Sequence, residues 1–259
     1  MTQVKLSLRD LRIAFGPRTV VDLEHLELGS GEILGLAGES GSGKSITALE
    51  VLGLASTLGA RVEGSVRLDD EELVGAPESR LREIRGSRIA LIFQSPVSSL
   101  DPLLQVGELF ERTLRLHGVG KHEVAERAVG AFREVLLSPD LLERYPHELS
   151  GGQAQRIAIA MALALRSEVL LADEPTSALD VTVQAEILEL LRSVREERGM
   201  SVLFISHDLA VIAELCDRVA VMQLGRIVEE GPTARVLGEP KDDYTKRLVA
   251  AVPKIGVQA

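Results

Sequence analysis

The sequence predicts an α/β protein: a largely parallel sheet with helices on both faces, an antiparallel pair of strands before it, and a helical segment inserted into it. Three observations carry that reading. Apolar runs at 33–37 (ILGLA), 169–172 (VLLA) and 202–205 (VLFI) lack polar alternation, as strands buried on both faces do. The first is followed by a glycine-rich turn and a helical pattern, which is strand–loop–helix order. Residues 95–165 hold no such run but show helical periodicity at 106–116 and 123–137, broken by Gly118, Gly120 and Pro139.

Taken in chain order, residues 4–8 and 19–28 alternate as antiparallel strands do, with a turn at Gly16-Pro17. The 33–37 strand ends at Gly38, the first residue of GESGSGKS (38–45). Gly41 and Gly43 allow a tight turn whose N–H groups point inward, a cradle for the phosphates of a nucleoside triphosphate. Gly38, Glu39, Ser40, Gly41, Ser42 and Gly43 are therefore candidate binding residues. Lys44 adds a point charge at the β- and γ-phosphates, and the Ser45 hydroxyl is a Mg²⁺ ligand in such loops. A helix beginning near Lys44 aims its positive end at the same place.

The 169–172 strand runs into Asp173-Glu174. A carboxylate at a strand's C-terminal end can hold Mg²⁺, which makes Asp173 a candidate ligand. Glu174 is placed to orient and deprotonate an attacking water. Helix 181–197 leads to the 202–205 strand and Ser206-His207-Asp208, where His207 can bond a γ-phosphate and a general base together. His25, His117, His122 and His147 carry no partner pattern and read as surface or packing residues. Residues 217–223 form a further strand, Gly225 turns the chain into 226–230, and the remainder is helical and largely polar.

Composition bounds the function. A chain of 259 residues buries roughly 70–75 % of its unfolded surface, enough for a substantial core. A formal charge of −10 disfavours general nucleic-acid binding and adhesion to anionic lipid. No stretch approaches the ~20 apolar residues of a membrane span, and the first residues (MTQVKLSLRD) lack a signal-peptide core. With one cysteine, Cys216, no intrachain disulfide forms, which suits a reducing cytoplasm.

Residues 149–153 read Leu-Ser-Gly-Gly-Gln, and with this motif the chain resembles the nucleotide-binding subunit of an ABC transporter over nearly its whole length. Seven motifs stand in the family's order: an aromatic near the first hairpin (Phe15), Walker A (38–45), a Q-loop glutamine (Gln94), the signature (149–153), Walker B (169–174), a D-loop (Ser177-Ala178-Leu179-Asp180) and the switch His207. The resemblance implies a P-loop NTPase (RecA-like) core with an N-terminal antiparallel β subdomain and an inserted helical subdomain. As one ABC ATPase domain over 1–259, this divides into a core at 1–94 and 166–235, a helical subdomain at 95–165 and a C-terminal helical tail at 236–259.

The resemblance also assigns roles. Two ATPase subunits pack head to tail, and Ser150, Gly151, Gly152 and Gln153 of one contact the ATP held by the other. Their N–H groups precede a helix (153–166), a second anion site, and Ile157, Ile159, Ala160 and Leu163 dock that helix in the core. Gln94 joins Ser45 and Asp173 as a Mg²⁺ ligand and acts in catalysis with Glu174 and His207. Phe15 either stacks on adenine or packs in the core; both readings stand.

The stretch Phe93–Pro102 (FQSPVSSLDP) is similar to the FQ-D-P-x-x-S-L-N-P pattern of peptide and nickel importers. DEPTSALDVTVQAEI (173–187) and YTKRL (244–248) resemble the same branch. Ser95, Asp101 and Ala154 depart from it. The implied function is ATP hydrolysis that powers uptake of di- or oligopeptides, nickel or a related small solute, at the cytoplasmic face of the cell membrane. The implied partners are a paralogous ATPase (with a homodimer as the alternative), two membrane permease subunits and, indirectly, an extracytoplasmic binding protein, with no nucleic acid. Residues 95–104, through Val97 and Leu100, are expected to receive the permease. The alternative is a soluble accessory ATPase of the kind associated with carbon–phosphorus lyase.

Overall fold

The computed structural model describes residues 3–94, 100–177 and 179–251. They form two compact units, Met1–Pro77 with Ser201–Ala259, and Glu78–Met200. The first begins with β1 (Val4–Phe15), β2 (Arg18–Gly29), β3 (Ile33–Ala37), α1 (Lys44–Val51), β4 (Arg61–Leu68) and β5 (Glu71–Glu72). The second holds α2 (Glu78–Ile84), β6 (Ile89–Ile92), α3 (Val106–Leu116), α4 (Lys121–Glu134), α5 (Gly151–Leu165), β7 (Val169–Asp173) and α6 (Val181–Arg198). The chain then returns to the first unit with β8 (Ser201–Ser206), α7 (Leu209–Leu215), β9 (Arg218–Gln223), β10 (Arg226–Pro232), α8 (Thr233–Gly238) and α9 (Asp243–Ala251).

The N-terminal strands make an antiparallel sheet in the order β2-β1-β4-β5. Alternation is legible in the sequence only to residue 8, although β1 continues to Phe15. A bulge is the reason. Pairing with β4 jumps from Arg9↔Ser65 to Arg12↔Glu63, and Asp10 takes φ 48°. The extra residue shifts the phase, so Leu6 and Leu8 are buried before it and Leu11 and Ile13 after it.

In the same unit β3 is central, parallel to β8 on one side and to β9 on the other, with β10 antiparallel at the edge. All five residues of β3 are buried, which accounts for its unbroken apolar run. In the second unit β6 and β7 pair in parallel. Phe110 of α3 and Phe132 of α4 are fully buried and meet edge to face, ring centroids 5.3 Å apart. The 106–116 periodicity matches α3, closed at its start by reciprocal bonds that include Gln105 N–H to Glu108 Oε2 at 3.1 Å. The pattern read at 123–137 belongs to α4, which starts two residues earlier and ends at Glu134 because Leu136 adopts φ 56°. Among the described residues no helix is long and apolar enough to cross a membrane.

Candidate functional site

The phosphate loop hangs from the C-terminal end of β3. Ala37 pairs with Ser206 of β8 on one flank and Val221 of β9 on the other, so Gly38 and His207 each stand one residue beyond neighbouring strand ends. Gly38 is required by both conformation and space. Its φ is 152°, and a Cβ there would lie 2.2 Å from the Met222 carbonyl oxygen. Gly41 (φ 80°) and Gly43 (φ 112°) complete the turn, and Gly43 caps α1.

Lys44 is buried, 4 % exposed, and its ammonium donates to the carbonyls of Gly38 and Glu39, both at 2.8 Å. The loop is braced from behind: Gly225 N–H donates to Ser42 O at 2.8 Å, and Tyr244 Oη accepts from Glu39 N–H at 3.0 Å. Glu39, Ser40, Gly41 and Ser45 face outward, while Ser42 is buried. His207 is exposed at the end of β8, and Asp208 caps α7 by accepting from Ala210 N–H at 2.8 Å. Phe15 ends β1 opposite Arg18 and is half-buried, outside the fully buried core.

Within the second unit, register brings two residues distant in sequence together. Ile92 of β6 lies beside Ala172 of β7, so Gln94 and Glu174 are each two residues past paired positions. Gln94 Nε2 donates to Glu174 Oε2 at 2.9 Å. Glu174 itself has φ 47°, an uncommon conformation for a side chain of its size, and its carbonyl accepts from both Ser177 N–H and Oγ. A strained, doubly braced turn holds the carboxylate at the strand end beside Asp173.

The signature turn is built differently from the expectation. Helix α5 starts at Gly151, not 153, with Ser150 as its N-cap. Gln153 N–H donates to Ser150 Oγ at 3.2 Å, and Gln153 Oε1 accepts from Ser150 N–H at 2.9 Å. The last residue of the motif thus serves as half of a capping box. Both glycines are in the first helical turn, whose N–H groups have no intrahelical acceptor. Gly152 has a second reason to be glycine: a Cβ would come within 2.6 Å of Val183 Cγ1 in α6. Ile157, Ile159, Ala160 and Leu163 are all buried as expected. Arg156, also buried, donates to Val135 O at 2.9 Å and pairs with Glu186, tying the helix entry to its neighbours.

Asp180 caps α6, accepting from Thr182 and Val183 N–H at 3.1 Å each. Ala178 of the D-loop, and Ser95 and Val97 of the expected permease contact, lie outside the described residues. Leu103, within the 95–104 stretch, is 82 % exposed. Sequence reasoning noted Tyr244 only as part of a closing motif; the Glu39 bond gives it a place at the site. Nothing in local periodicity marks a contact across 205 residues.

Comparison with known proteins agrees with this geometry. Residues 22–177 match the family model described as ABC transporter. A Brucella abortus (strain 2308) protein, named for peptide import ATP binding, is 47 % identical over 250 residues, 95 % of this chain and 75 % of its own. The glutathione import ATP-binding protein GsiA of Salmonella typhimurium is 44 % identical over 240 residues, 89 % of this chain and 38 % of its own. Among solved structures, cbiO1 from Clostridium perfringens, part of the transporter complex cbiONQ, superposes with a TM-score of 0.80 at 26 % identity, covering 92 % of each chain. An ATP-binding cassette solved as a dimer with ADP and Pi gives 0.76 at 30 % identity, over 88 % of this chain and 98 % of that one. The fold is the P-loop ATPase fold of these cassettes. The chain belongs to the ABC transporter family, as an ATP-binding, ATP-hydrolysing subunit.

Proposed function

We propose that this chain hydrolyses ATP to drive import of peptides, or of small solutes with peptide character, through a membrane permease. The observation that carries the catalytic half is the Gln94–Glu174 bond at 2.9 Å beside Asp173, at the C-terminal ends of paired strands. The import half is supported by relatives named for peptide and glutathione import. Nickel import, which the motifs also fit, has no counterpart in those names.

In this reading residues Gly38 to Ser45 hold the phosphates, with Lys44 at the β- and γ-positions. Phe15, half-exposed at its hairpin tip, stacks on adenine. Ser45, Asp173 and Gln94 supply hard oxygen donors suited to Mg²⁺, which would neutralise charge developing on the phosphates. Gln94 fits this role because its amide nitrogen is committed to Glu174, which leaves its oxygen for the cation. Glu174 orients the attacking water and accepts its proton, and His207 bonds the γ-phosphate. Ser150, Gly151, Gly152 and Gln153 close on the nucleotide of a second ATPase subunit, and Asp180 belongs to the same interface. We assign that subunit to a paralogue; a homodimer is the other arrangement. Residues 95–165 act as the helical subdomain and 236–259 as the tail. Two permease subunits hold the chain at the cytoplasmic face of the membrane, and a substrate-binding protein joins only through them.

The test is purification of the tagged chain from mild-detergent extracts of its native membranes, with identification of what accompanies it by mass spectrometry. Two multi-span permeases and a second ATPase are expected. Recovery with soluble enzymes alone would overturn the importer reading in favour of an accessory ATPase.

A further inference from the structure

The two peptide groups that flank Glu39 are both held. The Glu39 carbonyl accepts from Lys44 Nζ at 2.8 Å and from Ser42 N–H at 3.2 Å, while the Glu39 N–H donates to Tyr244 Oη at 3.0 Å. A peptide is planar, so gripping the Glu39 N–H fixes the Gly38 carbonyl of the same peptide unit, one of the two carbonyls, with that of Glu39, that aim Lys44. Tyr244 is itself firmly set. It is 4 % exposed, its N–H is capped by Asp242 Oδ1 at 2.8 Å, and the Arg247 guanidinium lies 5.8 Å over its ring. The turn that delivers it is anchored to β10, because the Glu229 carboxylate accepts from Lys241 and Asp242 N–H at 3.0 Å.

We propose that Tyr244 is a positioning residue for ATP binding: through the Gly38–Glu39 peptide it sets the phosphate loop and the Lys44 ammonium, making the C-terminal helix α9 part of the nucleotide site. The inference rests on the reading that residues 38–45 hold the phosphates. It goes beyond that reading by giving the C-terminal segment a quantitative role in affinity.

The experiment compares the full chain with Tyr244→Phe, which keeps the ring and removes only the hydroxyl. MgATP is titrated by calorimetry, and steady-state hydrolysis is followed in the transporter purified with its partners. One net hydrogen bond corresponds to a rise in Kd of about 3- to 10-fold. KM for ATP should rise with it while kcat stays within about two-fold. The thermal midpoint without nucleotide should move by no more than ~2–4 °C. Amide exchange should quicken over residues 38–44 and not over β3. Lys44→Ala should remove binding. If Tyr244→Phe binds MgATP as the unaltered chain does while Lys44→Ala does not, the Tyr244 proposal fails alone. If Lys44→Ala retains affinity, the phosphate-loop reading fails and takes this inference with it.

Discussion

The turns at 38–45 and 149–153 both carry glycines into the start of a helix, and they meet their surroundings in opposite ways. The phosphate loop is held from several directions by distant parts of its own unit: Met222 against Gly38, Gly225 against Ser42, Tyr244 against Glu39. Its lysine is buried among the loop's own carbonyls. The signature turn is held by itself, through the Ser150–Gln153 capping box, and Ser150 and Gly151 face outward. One region is preorganised by its own chain, as the proposed phosphate site requires. The other presents first-turn N–H groups outward, which is what a surface that completes another subunit's site requires.

The largest effect separates binding from chemistry. Glu174→Gln should lower phosphate release at least ~100-fold while MgATP affinity is kept, because in the proposed function it removes the general base and touches no phosphate contact. Equal loss of affinity would mean that Glu174 shapes the phosphate site, and the division drawn here would blur.

Next comes a stability effect behind the phosphate loop. Glu50 of α1 is 3 % exposed, and burial pushes its carboxyl up to about 7. The folded chain therefore holds this proton more tightly than the unfolded chain, where the group titrates near 4.5. Its contribution is fully present below that lower value and is lost as pH rises through 7, a change of about 3 kcal/mol. Glu50→Gln should raise the thermal midpoint by roughly 5–10 °C at pH 8 and leave it unchanged near pH 4. A thermal scan at both values checks the sign. Equal midpoints at pH 8 would show that the loop's supporting helix does not carry a buried charge.

The smallest effect concerns the self-capped turn. Ser150→Ala removes the Oγ acceptor of Gln153 N–H and should cost about 1 kcal/mol, or ~2–4 °C in midpoint. A loss several times larger would mean that the turn is braced by the rest of the chain, as the phosphate loop is.

Much of this arrangement is legible in the sequence where local chemistry decides it. The run at Ile33–Ala37, the glycines after it and Asp173-Glu174 after a second apolar run sit where the pattern places them. What is not legible depends on register or on distant contact. The β1 bulge at Asp10 inverts the strand's phase and hides its second half from a period-two reading. Two unrelated registers decide that Gln94 meets Glu174 and that Gly38 and His207 are neighbours. The start of α5 is misplaced by two residues because glycines argue against helix, whereas the Ser150–Gln153 spacing, a capping signature, argues for it. Strand β6 and helix α2, short and bordered by charged residues, give no clear periodic signal, and the alternation of β4 (Val62, Val66, Leu68) is interrupted at Gly64.

The most direct test of the contrast is Ser150→Arg, which places a bulky cation at the outward turn. MgATP affinity is measured on the isolated chain and hydrolysis on the transporter purified with its partners. A Kd within about two-fold of the unaltered chain is expected, with hydrolysis reduced at least ~100-fold, because in the proposed function the signature serves a nucleotide held by another subunit. Loss of MgATP binding by the isolated, folded chain would contradict it, since the signature would then belong to the chain's own site.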